Sequence, residues 1–165
     1  MKTLIVYYSL TGNTAWAAQR LAALLEAETL ALEPEKAYPK RGLGKFFHGG
    51  KSAVFGEAPA LKPYAWDPSA CSCVVFGFPV WAGRLTPPLR TFIQENREAL
   101  AGKTFAAFAC QSGSGAEKAL ADLKKCLDAE KLAAEAILID PKDRPQEKND
   151  AVLRAFAEKL PPPIR

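Results

Sequence analysis

Histidine is almost missing from this chain: among its 165 residues only His48 carries an imidazole. A zinc site would therefore need the four cysteines, Cys71, Cys73, Cys110 and Cys126, to converge, and no two of them form a C-x-x-C pair. Ordinary reduced thiols are expected, and no metal site is assigned. Nor does spacing supply His48 with a serine or cysteine partner, so no catalytic residue is assigned. The cysteines also lack the density of a disulfide scaffold. No apolar run is long enough to span a bilayer, and the Leu4 to Tyr8 run is too short for a signal-peptide core. A cytoplasmic protein with no membrane partner is expected. Internal repeats and low-complexity tracts are missing too, and a chain of this length is expected to form one domain, residues 1–165.

Acidic residues are missing from one stretch. Of the 22 cations, five (Lys36, Lys40, Arg41, Lys45 and Lys51) lie between residues 36 and 51 with no acid among them, so elsewhere 17 cations meet 18 acids. The net charge of +4 is thus local. Such a patch is a candidate surface for an acidic partner, although solvated lysines on an exposed loop are the commoner case. No nucleic-acid partner is assigned. The bulk composition, 48% hydrophobic and 24% charged, excludes global disorder.

What is present is an alternation of strand and helix periods. Thr3 to Tyr8 is a β-branched and aromatic run, and from Asn13 to about Glu26 the apolar residues Ala17, Leu21, Leu24 and Leu25 recur on one helical face. Strands are expected at Thr29–Leu32, Cys73–Phe78, Thr104–Cys110 and Ala133–Ile139. Helices are expected at Pro87–Glu98, Ala116–Ala129 and Pro145–Leu160. This βα pattern, repeated five times, predicts an α/β fold: a three-layer α/β/α sandwich around a five-stranded parallel sheet. Between strands two and three lies a long insertion, Glu33 to Ala70. We expect it to be packed through Phe46, Phe47, Val54 and Phe55, with a short helix broken at Gly49-Gly50.

Three strand ends carry unusual turns. Ser9-Leu10-Thr11-Gly12-Asn13-Thr14 joins the first strand to a helix, where unpartnered N–H groups and the helix dipole favour an anion. It has neither the lysine of a triphosphate P-loop nor a G-x-G-x-x-G pattern, so a phosphomonoester is the better match. The alternative is that Thr11 or Asn13 merely caps the helix. Pro79-Val80-Trp81-Ala82-Gly83 follows the third strand and Gln111-Ser112-Gly113-Ser114-Gly115 the fourth. In doubly wound sheets such turns meet at one end.

Together these three segments resemble the flavin-binding loops of flavodoxin-like proteins, and Lys45-Phe46-Phe47-His48-Gly49-Gly50 is similar to a stretch of a bacterial subgroup. The resemblance covers nearly the whole chain. It implies strand order 2-1-3-4-5 and non-covalent FMN. Ser9, Leu10, Thr11, Gly12, Asn13 and Thr14 would take the phosphate. Pro79, Val80, Trp81, Ala82 and Gly83 would lie along the isoalloxazine, with Trp81 stacking on it. Gln111, Ser112, Gly113 and Gly115 would face the pyrimidine side.

The chain departs from strongly acidic carrier flavodoxins in being net basic and in having no aromatic residue in the third turn. Two redox functions are open: an electron carrier, or an FMN-dependent NAD(P)H:quinone-type reductase. Under either, a redox partner protein or NAD(P)H could use the Lys36 to Lys51 segment, and Arg84 either lies at the flavin N1 edge, raising its potential, or points to water. A non-redox phospholigand module is the third reading.

Overall fold

The computed structural model describes residues 2–39, 56–145 and 147–161. Strands β1 (Thr3–Tyr7), β2 (Glu28–Ala31), β3 (Cys73–Pro79), β4 (Thr104–Gln111) and β5 (Glu135–Ile139) form one sheet. Between and after them run helices α1 (Asn13–Leu25), α2 (Pro87–Glu95), α3 (Arg97–Leu100), α4 (Ala116–Leu127) and α5 (Glu147–Ala157). Every pairing is parallel and the strand order is β2-β1-β3-β4-β5, as the flavodoxin-like resemblance implies.

The continuous apolar run of β3 explains its central place. Val74, Phe76 and Phe78 point to one face, where they meet Leu89, Phe92 and Ile93 of α2 and Leu120 and Leu123 of α4. Cys73 and Val75 point to the other, against Ala17, Ala18 and Leu21 of α1 and Leu153 and Phe156 of α5. A strand covered on both faces cannot alternate apolar with polar, which is why its sequence does not. Gly77 interrupts the run for a steric reason. It pairs with Phe108 of β4, whose ring crosses it so closely that a Cβ at residue 77 would sit 2.2 Å from Phe108 Cζ.

Several element boundaries differ from the sequence expectation. The edge strand β2 begins at Glu28, one residue early, because backbone pairing with Leu4 does not require a buried side chain. Leu32 then leaves the strand, and its N–H bonds Tyr7 O at 2.8 Å while its side chain enters the core. The helix expected over Pro87–Glu98 breaks at Asn96. There Nδ2 donates to Phe92 O (2.8 Å) and Tyr64 Oη (2.7 Å), and Oδ1 accepts from Trp66 Nε1 (2.9 Å). This one amide ends α2 and fastens the long connection to it. β5 and α5 are shorter than expected at both the Ala133 and the Pro145 starts.

The described parts of the long connection are pinned by further polar contacts. Pro34 bridges Leu61, Thr91 Oγ1 donates to Pro59 O at 2.8 Å, and Lys103 Nζ donates to the carbonyls of Pro68 (2.6 Å) and Cys71 (2.7 Å). The anchors Phe46, Phe47, Val54 and Phe55, the break expected at Gly49-Gly50 and His48 lie outside the described residues. Among those described, no helix is long and apolar enough to cross a membrane, and no three His, Cys, Asp or Glu residues gather as a metal-binding group.

Two predictions follow from this packing. Gly77→Ala should lower stability by about 1–3 kcal/mol through overpacking against Phe108, read from urea unfolding midpoints; an unchanged midpoint would show that the ring can move aside. Stability should also fall on the alkaline side. Burial pushes the Cys110 thiol up to about 12, and burial with the hydrogen bond to Glu95 pushes the Tyr64 phenol up to about 12. The folded chain thus keeps protons that the unfolded chain releases near its ordinary values of 9.0 and 10.0, so stability is full below pH 9 and declines toward pH 12. Denaturant midpoints that stay level across that window would contradict it.

Candidate functional site

The parallel register brings the carboxyl ends of β1, β3, β4 and β5 to one edge of the sheet, where their following turns enclose a cleft of about 370 Å³. At its first wall β1 passes through Tyr8, whose N–H bonds Gly77 O at 3.1 Å, into the Ser9 to Thr14 turn. Gly12 precedes α1 in the left-handed region (φ 103°), which a side chain would disfavour. Neither Thr11 nor Asn13 caps the helix, contrary to the alternative reading. Ser9 Oγ does so from further upstream, accepting the N–H groups of Gly12 (3.2 Å) and Ala15 (3.1 Å). Its own hydroxyl proton is thereby left to be donated. The amides of Asn13 and Thr14, in the first helical turn, have no intrahelical acceptor. Thr14 Oγ1 is buried without a hydrogen-bond partner of ordinary geometry, beside the Cys110 thiol.

The second wall is a tight reversal, Trp81 to Arg84, closed by Arg84 N–H donating to Trp81 O at 2.9 Å. Both central residues have positive φ, 52° at Ala82 and 67° at Gly83, the signature of a type I′ turn. At Ala82 that conformation costs about 1–2 kcal/mol. The Trp81 ring meets Tyr38 edge-on at 4.9 Å and Tyr8 at 5.6 Å, forming an aromatic corner. Tyr8 is almost fully buried, and its phenol is held well above the ordinary range by that burial and by the neighbouring Tyr38.

The third wall is the Gln111 to Gly115 turn. Gly115 repeats the device of Gly12, opening α4 from a left-handed conformation (φ 102°), and Gln111 Oε1 accepts Ala116 N–H at 2.9 Å. The amide NH₂ is then what Gln111 can offer the cleft. Ser112 Oγ donates to Asp140 Oδ1 at 2.7 Å, tying this turn to the end of β5.

The cleft is lined by every residue that sequence placed there except Gly12, Gly83 and Gly115, which shape its turns. It also takes in Cys110, Ser114 and Asp140, which sequence reasoning had not assigned. Asp140 could have been found from the strand-end rule, since Asp140-Pro141 closes the fifth strand. Arg84 requires a correction. It neither borders the cleft nor points free into water: Nε pairs with Asp122 Oδ2 of α4 at 2.8 Å, so its charge anchors the Trp81 turn from behind. Of the five cations of the basic segment only Lys36 is described, and it is exposed; Lys40, Arg41, Lys45 and Lys51 lie outside the described residues.

A family model described as flavodoxin matches residues 2–149 of the chain. Among solved structures, a flavoprotein from Lactobacillus acidophilus NCFM in complex with FMN is 19% identical with TM-score 0.72, over 86% of this chain and 95% of that one. A Bacteroides eggerthii DSM 20697 protein, assigned as a flavoprotein, is 26% identical with TM-score 0.71, covering 94% and 98%. Two-electron reduced flavodoxin of Megasphaera elsdenii is 18% identical with TM-score 0.55, covering 94% and 98%. No curated protein matches the chain in sequence.

The second and third walls touch through glycine. A Cβ on Gly115 would lie 2.8 Å from Gly83 Cα, and the φ there already excludes most side chains. Gly115→Ala should therefore separate the two turns and cost about 1–3 kcal/mol, seen as a lower melting temperature; an unchanged melt would show that the contact is dispensable.

Proposed function

The chain belongs to the flavodoxin family, and on that premise we propose that it is a redox protein that holds FMN non-covalently in the cleft at the carboxyl edge of its sheet. The observation that carries this reading is the division of one cleft into two ends of different chemistry. One end has a helix N-terminus with hydroxyls that can donate, and the other has an indole beside backbone turns. A volume of about 370 Å³ is within the range of small-molecule sites. A phosphomonoester on a long planar body fits both ends.

In this proposal Ser9, Thr11 and Thr14 donate hydroxyl protons to the phosphate, and the backbone amides of Asn13 and Thr14, in the turn that Gly12 opens, supply the rest of its hydrogen bonds. Leu10, buried, holds the loop to the core. Pro79, Val80, Trp81, Ala82 and Gly83 form the wall along the isoalloxazine, with the Trp81 indole against the ring system. Gln111, through its NH₂, and Ser112, Gly113 and Gly115 border the pyrimidine edge. When bound, FMN supplies electron transfer in single or paired steps. The protein orients it, excludes water from one side and leaves the other reachable.

A second reading is favoured by one feature: the third turn is built of Ser and Gly and brings no aromatic ring to the cleft. A small electron donor and acceptor could then approach in turn, making the protein an FMN-dependent NAD(P)H:quinone-type reductase. Steady-state oxidation of NAD(P)H with a quinone acceptor separates the two. Turnover supports the reductase, and its absence together with electron exchange to a protein partner supports the carrier.

The purified protein should be yellow, and the apoprotein should bind FMN at micromolar concentration or below. Trp81→Ala should shift the flavin absorption and weaken FMN binding roughly tenfold, measured by fluorescence titration. A colourless protein that takes up no FMN would remove both redox readings in favour of another phosphorylated ligand. Unchanged affinity and spectrum in Trp81→Ala would remove the stacking assignment alone.

A further inference from the structure

We propose that Lys142, on the turn after β5, is the counter-cation of the phosphate held by the Ser9 to Thr14 loop and makes the site selective for a phosphorylated over an unphosphorylated flavin. This rests on the FMN reading. The residue was invisible to motif reasoning because it stands 130 positions away from Gly12 along the chain, and the fold alone brings it there.

The placement begins with Asn13, whose side chain is spent on that turn. Its Oδ1 accepts the N–H groups of Lys142 (2.8 Å) and Asp143 (3.2 Å), and its Nδ2 donates to Asp143 Oδ2 at 2.8 Å. Asn13 is thus a positioning residue: three bonds fasten the β5 turn across the start of α1. The Lys142 side chain then runs over Gly12, where a Cβ would lie 2.9 Å from Nζ and 3.2 Å from Cδ. Glycine at residue 12 is required by the left-handed backbone, and its bare Cα leaves the lysine to lie close over the loop.

The ammonium is weakly used within the protein. Its contact among the described residues is Thr11 O at 3.5 Å, a long bond, and the side chain is exposed, so its donors are available to an anion. On the same loop Thr14 is 1% exposed and lines the cleft, and its Oγ1, next to the Cys110 thiol, makes no hydrogen bond of ordinary geometry, an independent sign that this loop can serve an acceptor. The same turn carries Asp140 and Asp143. Asp140 is engaged by Ser112 and, at 3.5 Å, by Arg144, while Asp143 is engaged by Asn13. A dianion beside two carboxylates would be repelled, and Lys142 stands between them in sequence to offset that repulsion. Charge-assisted hydrogen bonding to phosphate is the interaction a point-charge ammonium makes best.

Apoprotein affinities for FMN and riboflavin, from quenching of flavin fluorescence, test this in wild type, Lys142→Met and Lys142→Arg, at low salt and at about 0.5 M salt. Lys142→Met should weaken FMN about tenfold at low salt, leave riboflavin within about twofold and flatten the salt dependence of FMN binding. Lys142→Arg should restore most of the loss. Thermal melts of the apoproteins should coincide, since the side chain is exposed. Equal losses for both flavins, or unchanged FMN affinity, would overturn the assignment while leaving the FMN reading intact. A wild-type protein that binds neither flavin would overturn the FMN reading and this assignment with it.

Discussion

Burial of β3 on both faces is the constraint from which the upper edge of the molecule is built. A parallel strand with helices above and below has no polar side chains to spare, so its backbone must pair on both sides, with β1 and β4. That pairing is in step: Tyr7 faces Gly77, which in turn faces Phe108, so the three strands finish within a few residues of one another. The turns that follow them start from nearly the same height. A cleft bounded by three separate segments of chain is then a consequence of hydrogen-bond register, and the core residues beneath it determine how far apart its walls stand.

On that rigid edge the two helix starts use one solution. At α1 and at α4 a left-handed glycine turns the chain, and a side chain three or more residues upstream, Ser9 or Gln111, reaches forward to an amide of the first turn. Capping from upstream keeps the helix mouth clear of its own side chains, so other amides and hydroxyls stay available to a ligand. The arrangement differs from ordinary capping, in which the residue next to the helix fills the mouth itself. The Arg84–Asp122 pair has a comparable role at the second wall, holding a turn in a costly backbone conformation from the side away from the cleft.

Much of this was legible in sequence because it rests on periodicity and on local turn chemistry. β3 and α4 read clearly, since runs such as Cys73 to Phe78 and the spacing of Leu120, Leu123 and Leu127 are imposed by burial. The three loops read clearly as well, because their unusual composition stands at strand ends. What sequence could not show were contacts made across the sheet. Asn96 looks like one more polar residue near a helix end until Tyr64 and Trp66 arrive from the long connection. Asn13 was assigned to the phosphate loop, where its neighbours in sequence are, yet its amide serves the turn after β5. Arg84 was weighed between ligand and solvent, whereas its partner Asp122 lies on a helix 38 positions later. In each case the missing information was which distant segment folds alongside.

The thiol at the end of β4 has one more implication. Cys110 lines the cleft, yet burial lifts it to about 12, so at neutral pH almost none of it is the reactive thiolate. Sulfur chemistry is thereby kept apart from whatever redox chemistry occupies the space beside it. The same property makes this cysteine a built-in clock for breathing of the sheet edge. An alkylating reagent reaches a reactive Cys110 thiolate when the walls around it part, so where reclosing is faster than alkylation the rate of its modification reports how large a share of the time this end of the molecule is open.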